Sequence, residues 1–444
     1  MLYQLSYAGT GTAIPESSRR CKRDGRFGGQ MPCNLRETGG TMGLWWSGSW
    51  RMETVITSSE RALMPDLLRA FALFGIAVVN VVGFAQPFST GFYGGGLETP
   101  VDQAVYAGMA GLFLMKSYPL FSMMFGAGLA FQLSAAARAG KAFAPRYFRR
   151  MGALVVLGIL HFIFFWFGDI LLTYGLLGCL LFVMRDASVK VLVRTGIALI
   201  VLNALMLFAL AGLMWMGETY APEAMAEAGY DTMDAAAMAA FGEGNFWQAA
   251  LYRLTLMPFV LPSVIIQQGI SVFGFFCFGL AAVKAGVIDQ PDAAIWKLSR
   301  RVFLPIGLAG SALGAWILLG ASNSVGSTFI LGSAVTMAFS AFSALGYAGL
   351  IALVSKGAGG PVKRFLARAG SASLTAYLLQ SLILSLVFTG YGLGAFGEMT
   401  AAEAIGVAAL AAIASLVFTG LWRSFAPRGP MEVLLRRVTY WGRA

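Results

Sequence analysis

The stretch MGALVVLGILHFIFFWF (151–167) carries no charge, holds the only histidine of a 444-residue chain, His161, and is followed at once by Gly168 and Asp169. Such a run, about 25 Å long as a helix at a rise of roughly 1.5 Å per residue, is long enough to cross most of a bilayer's hydrocarbon. An ionisable group inside a membrane span is by default a candidate functional residue, because burying it there is costly. The fold is therefore expected to be helical and membrane-spanning, with its chemistry or its substrate path inside the bilayer.

Composition agrees. Hydrophobic residues make up 58% of the chain and charged residues 12%, with a mean hydropathy of +0.71; soluble domains carry roughly 25% charged residues. From Asp66 onward, apolar segments alternate with polar breaks, giving expected spans near 67–87, 104–135, 150–168, 169–185, 195–216, 254–283, 302–320, 328–354, 371–390 and 403–422, a count of about ten. Lys116 interrupts the second run, which is expected to be tilted or re-entrant before a helix that starts at Tyr118. The expected class is all-α: a single transmembrane bundle over 52–444.

The leader 1–51 is polar and Gly-rich, with basic residues Arg19, Arg20, Lys22 and Arg23 and no apolar core of the kind a signal peptide has. It reads as disordered sequence, and Met52, just before the first span, reads as the true start in preference to a cytoplasmic tail.

Charge sets orientation. Lys and Arg gather at 138–150, 185–194, 284–301, 356–368 and in the tail 423–444, whereas 88–103, 217–252, 321–327 and 391–402 contain none. Basic loops stay on the cytoplasmic side, so both termini are expected there, and the acidic 217–252 loop is expected outside. The net charge of +11 is thus a topology signal, and nucleic-acid binding is not expected. Cys179 and Cys277 lie in apolar spans and Cys21 and Cys33 in the leader, with no metal-ligand spacing; no metal and no bound cofactor are expected.

Depth follows from the helical rise. His161 lies about 16 Å and Asn80 about 20 Å from the cytoplasmic ends of their spans, so both belong at or beyond mid-membrane. Asp169, Lys116 and Arg253 are placed near the outer surface, and Asp66 and Arg69 at the inner one. Each has a structural explanation beside the functional one. His161 could hydrogen-bond a neighbouring helix; Asp169 could cap the helix that follows; Asp66 and Arg69, at i and i+3, could pair as an inner anchor; Lys116 and Arg253 could snorkel. Gln267, Gln268, Thr375, Tyr377, Gln380 and Ser381 add hydrogen-bonding capacity that helix packing explains almost as well. In one straight helix His161 and Asp169 would sit about 12 Å apart along the axis, so a direct pair needs water, a kink at Gly168 or another helix.

Several stretches carry a family resemblance: MPDLLRAFALFGIAVVNVVG (64–83), KSYPLFSMMFGAGLAF (116–131), RRMGALVVLGILHFIFFWFGDILLTYGLLG (149–178), SLTAYLLQS (373–381) and FAPRGPMEVLLRRVTY (425–440). Together, and in this order, they resemble the YeiB-like family of bacterial inner-membrane proteins, over nearly all of 60–444. That family is similar in turn to the transmembrane acyltransferases, which include heparan-alpha-glucosaminide N-acetyltransferase and the bacterial sugar O-acyltransferases. The likeness lies in the first span, in an acid, an Arg three residues later and an Asn fourteen after the acid: Asp66, Arg69 and Asn80. The glucosaminide acetyltransferases place a functional His soon after that Asn; no His follows Asn80 closely here, so His161 would have to serve.

The resemblance implies transfer of an acyl group from cytoplasmic acyl-CoA to a glycan or lipid of the cell envelope. Arg69, Arg149 and Arg150 would attract the donor's phosphates. His161 would act as general base, with Asp169 beside it, and Asn80 and Lys116 would stabilise the oxyanion or orient the acceptor. Tyr118 and Gln380 complete the candidate substrate-binding set. The competing class is a transporter or channel with a His-centred proton or solute path, and a third is a non-enzymatic envelope protein. Membrane lipids are the one partner expected in every case.

Overall fold

A computed structural model describes residues 63–441 apart from 139, 141, 227–229 and 358; the leader 1–51 and the start at Met52 lie outside the described residues. Those described fall in one compact unit, and all of their regular structure is helical. Pro65 stands in the first turn of α1 (Met64–Ala85), where its missing N–H costs nothing. The helices α2 (Pro100–Leu112) and α3 (Ser117–Arg138) are separated by a break in which Met115 adopts φ 54°. Next come α4 (Ala144–Phe164), α5 (Leu171–Leu181) and α6 (Val189–Tyr220), then the short α7 (Pro222–Ala226) and α8 (Tyr230–Ala237). An Asn245–Gln248 capping box starts α9 (Phe246–Val264), and a π turn, Ile265–Gly269, joins it to α10 (Ile270–Lys284). The remainder is α11 (Ala294–Leu298), α12 (Leu304–Leu319), α13 (Ser327–Ala338), α14 (Ser340–Val354), α15 (Pro361–Ser371), α16 (Ser373–Phe388), α17 (Ala401–Phe425) and α18 (Pro430–Thr439).

Among the described residues, seven helices are long and apolar enough to cross a membrane, and the bent pairs α13–α14 (48°) and α15–α16 (80°) raise the number to nine. The expected span 169–185 needs correction. Its helix, α5, has 11 residues, about 17 Å, against a hydrocarbon core of about 30 Å. It runs back antiparallel along α4, with Tyr147 Oη donating to Gly178 O at 2.7 Å, and a 3-10 turn, Phe182–Asp186, completes the return. The expected loop 217–252 also carries helix, in α7, α8 and the first turns of α9.

The loops sort into two sets. Lys284 Nζ donates to Ala187 O, Lys356 pairs with Asp292, Arg149 donates to Trp441 O and Arg423 to Ser371 Oγ. These contacts join basic loops to one another. At the other end Asp234 accepts from Ser89 and Thr90, Glu218 caps α13 at Ser327, Ala401 N donates to Gly96 O, and Gly390 N to Phe241 O. The chain therefore passes repeatedly between a basic end and an end without Lys or Arg loops, as a polytopic bundle must.

Inside the bundle, close approach is bought with glycine. A Cβ on Gly126 of α3 would lie 2.0 Å from Phe276 O of α10, and one on Gly279 1.8 Å from Met123 O. Small residues let membrane helices make contact backbone to backbone, where dispersion and not water exclusion holds them.

At the basic end, the surface helices α15 and α18 pack against the feet of the spans. Glu432, in the first turn of α18, accepts from Leu374 N (2.8 Å), Thr375 N (3.1 Å) and Thr375 Oγ1 (2.6 Å), and so caps α16. It joins two of the segments that carry the family resemblance, 373–381 and 425–440. Burial pushes its carboxyl above the ordinary value of 4.5, against the pull of those hydrogen bonds. A raised folded-state pKa means that Glu432 favours the fold most below 4.5 and that this contribution is lost as pH rises through the folded value.

Two outcomes are expected. With the native cysteines replaced by alanine, a cysteine at Glu223 should react with a membrane-impermeant maleimide in intact cells, and one at Lys363 only after lysis; the reverse pattern would invert the orientation. Asp234, although in the same acidic segment, is a poor probe because its carboxylate is already engaged. For the cap, Glu432→Gln keeps an acceptor and cannot ionise, so its melting temperature should match or exceed wild type at neutral pH, with the advantage shrinking as pH falls. Glu432→Ala should lose roughly 1–3 kcal/mol, the usual cost of orphaned buried donors. Equal melting temperatures for the two variants would refute the cap.

Candidate functional site

The segment 165–170 decides the site. After α4 ends, Trp166 N and Phe165 N both donate to His161 O, and the chain turns through Gly168 into α5. This reversal brings Asp169 back over His161, and the direct pair that one straight helix forbids is made: His161 Nδ1 and Asp169 Oδ2 stand 2.6 Å apart. The other carboxylate oxygen, Oδ1, accepts from Leu172 N at 2.7 Å, which caps α5. Capping and pairing are thus the two ends of one carboxylate. Gly158 makes room, since a Cβ there would lie 2.3 Å from Leu172 N and 2.7 Å from Asp169 Oδ1.

His161 is 2% exposed and Asp169 4%. The imidazole packs on Tyr377, ring centroids 5.0 Å apart, and on Phe165. An Nδ1–H donated to the carboxylate leaves Nε2 as the basic nitrogen, and Nε2 is buried without a hydrogen-bond partner. Buried polar atoms are nearly always paired; this nitrogen is among the few here that are not, and it is the one of them that belongs to an imidazole.

Cavities lie on both sides of the dyad. Toward the basic end, one of about 60 Å³ is lined by Arg69, Arg150, Gln132, Tyr174, Ser373, Leu171 and Tyr377. Arg69 is ion-paired with Asp66 at 2.7 Å, and the Nε of Arg150 is buried without a hydrogen bond. Toward the other end, a cavity of about 480 Å³ is lined by Asn80, Gln86, Ser117, Tyr118, Trp166, Ile170, Ser263, Gln267 and Gln268, among others. Ile170 and Leu171, neighbours in sequence, belong one to each cavity; the turn that carries Asp169 is the partition. Beside it, Ser122 Oγ and Tyr174 Oη lie 2.6 Å apart, and Tyr118 Oη meets Ser271 Oγ at 3.1 Å.

The candidate residues separate accordingly. Asn80 and Tyr118 line the large cavity, Arg69 and Arg150 the small one, and His161 with Asp169 sits between them. Lys116 faces neither cavity: fully buried, its Nζ donates to Ala110 O (3.1 Å) and Leu114 O (2.7 Å), the carbonyls freed where α2 breaks. Arg253 likewise is buried and donates to Phe164 O at the end of α4, its guanidinium over the Phe241 ring. Neither snorkels to a surface. Arg149 holds the tail through Trp441 O, and Gln380 donates to Ser415 Oγ between α16 and α17.

Residues that sequence reading passed over include Glu432, Asp234 within the acidic loop, and Asn203, whose Nδ2 donates at 2.7 Å to Gln267 O in the π turn. Asn203 had a visible signal: it is the one amide in the apolar run 195–216. Among the described residues, no group of His, Cys, Asp and Glu could hold a metal ion.

Comparison with known proteins agrees with the segment likeness. Residues 282–442 match a family model described as a protein of unknown function (DUF418). The chain is 26% identical over 405 residues to the uncharacterized protein YxaH of Bacillus subtilis (strain 168), covering 86% of this chain and 95% of that one. It is 29% identical over 405 residues to the uncharacterized protein YeiB of Escherichia coli (strain K12), covering 86% and 96%. No solved structure matches. The chain is accordingly a multi-pass α-helical membrane protein that is similar over most of its length to YxaH and YeiB.

Proposed function

We propose that this protein is an acyltransferase embedded in the bacterial inner membrane, which moves an acyl group from acyl-CoA at its basic face to a glycan or lipid acceptor of the cell envelope. One observation carries the reading: a buried His161–Asp169 pair whose outward nitrogen has no partner, set in the partition between two cavities. Asp169 positions the ring and stabilises the imidazolium that forms when Nε2 accepts a proton.

The chemistry balances. Nε2 takes the proton of the acceptor hydroxyl as its oxygen attacks the thioester carbonyl; the tetrahedral adduct collapses, the C–S bond breaks, and the imidazolium returns the proton to the CoA sulfur. Arg69 and Arg150 attract the anionic donor from the basic end, while Asn80 orients the acceptor in the larger cavity. Because His161 lies behind the cavity wall, substrate binding must shift the 165–170 turn, as closing active sites commonly do.

A second reading, transport, is favoured by the π turn of α9–α10, since interrupted helices with polar side chains line the midplane sites of transporters. Thiol release separates the two. Purified protein given acyl-CoA and envelope extract should release CoA only when both are present. His161→Ala should cut the rate about 10²- to 10⁴-fold, the usual worth of general-base help, with the melting temperature within a few degrees of wild type. Asp169→Asn should lower kcat more than KM. Substrate flux without CoA release, or full activity in His161→Ala, would discard acyl transfer.

A further inference from the structure

The larger cavity says what kind of molecule it is built for. It runs from the loops of the non-basic end, where Asp234 and Phe396 line it, down to Gln267 and Gln268 in the π turn. Both glutamines are exposed although they stand in the middle of a traverse. An amide facing hydrocarbon pays a desolvation cost of several kcal/mol, so membrane proteins turn such groups toward a polar interior or a polar ligand. A π turn also leaves backbone groups out of register, and Asn203 satisfies Gln267 O; Gln267 Nε2 donates to Ser263 Oγ at 2.6 Å, which leaves its amide oxygen and the Gln268 amide to the cavity.

The wall carries no cation. Among the described residues no Lys or Arg lines it, and its sole carboxylate, Asp234, is saturated by the N–H and O–H groups of Ser89 and Thr90. The nearby cations are committed elsewhere, Lys116 and Arg253 to backbone carbonyls. A phosphate would find no counter-charge, whereas amides and hydroxyls can pair with an acceptor's hydroxyls in both directions. The rest of the lining is apolar, and two of its members, Phe88 and Phe259, are 59% and 76% exposed, so the cavity is continuous with the flank of the bundle, where lipid lies.

We infer that this cavity binds a lipid with an uncharged, hydroxyl-bearing headgroup, which enters from the bilayer past Phe88 and Phe259 and leaves its chains in the membrane. The headgroup hydroxyls meet Asn80, Gln267 and Gln268. Taken with acyl transfer, on which we rest for its chemical purpose, this makes the acceptor a neutral lipid alcohol or glycolipid and excludes a phosphate-terminated lipid. A volume of about 480 Å³ suits a small headgroup with its first methylenes, within the several-hundred-Å³ range of small-molecule sites.

Binding can be read without turnover. Purified protein in detergent is titrated with dioctanoylglycerol or dioctanoyl phosphatidate, and complexes are counted by native mass spectrometry. One dioctanoylglycerol should bind per chain, at least tenfold more tightly than the phosphatidate. The double variant Gln267→Leu/Gln268→Leu, apolar changes at exposed positions, should weaken the diacylglycerol complex at least tenfold. Equal or tighter binding of phosphatidate by the unaltered protein would overturn the inference whatever the variant's fold, as would unchanged dioctanoylglycerol binding in a folded double variant. Retained binding alongside absent thiol release would refute acyl transfer and leave the cavity's assignment standing.

Discussion

In hydrocarbon no water is at hand to satisfy a broken helix, and six of the polar side chains in this bundle answer to that constraint. At several interruptions of a span a side chain closes the gap. Lys116 takes the carbonyls at the α2–α3 break, Arg253 the end of α4, Asn203 the π turn before α10, and Ser385 the carbonyl of Phe165. Asp169 and Glu432 take the N–H groups at the starts of α5 and α16. Each orphaned buried group would cost about 1–3 kcal/mol or more, so these residues are conditions of the fold.

The His161 pair leaves one ring nitrogen without a partner, as Arg150 and Gln380 each leave one atom. Its carboxylate is fully used, one oxygen on Leu172 N and the other on the ring, but the ring's far nitrogen is not. A purely structural histidine in this setting would be expected to spend both nitrogens, as Arg253 and Lys116 spend donors on carbonyls. The partition position adds meaning, because a group that faces neither cavity at rest can serve both once the turn moves.

The sequence carried much of this. Apolar run length revealed the traverses, and the distribution of Lys and Arg revealed the two ends, because both follow from solvation energies that composition reports directly. What it could not show was how short a return can be: 169–185 has a span's composition, yet α5 is only 11 residues and leans on α4 through glycine contacts. The same limit hid the dyad, whose eight-residue spacing excludes pairing in a straight helix and requires the turn at 165–170. Lys116 and Arg253 carried the right flag, an ionisable group at depth; the break at Lys116 was legible as an interruption of an apolar run, but the carbonyls that the two side chains satisfy were not. Glu432 and Asp234 were hidden because a carboxylate near a basic or polar loop reads as solvated until the partner N–H groups are placed beside it.

The central claim is that Asp169 and His161 act as one coupled unit inside the membrane. A double-mutant cycle of melting stabilities in detergent, using His161→Ala, Asp169→Asn and the double variant, isolates that coupling from the cap on Leu172 N. A direct buried pair should give a coupling of about 0.5–3 kcal/mol. Stability losses that add to within about 0.3 kcal/mol, as independent sites do, would contradict the pair and the functional account built on it.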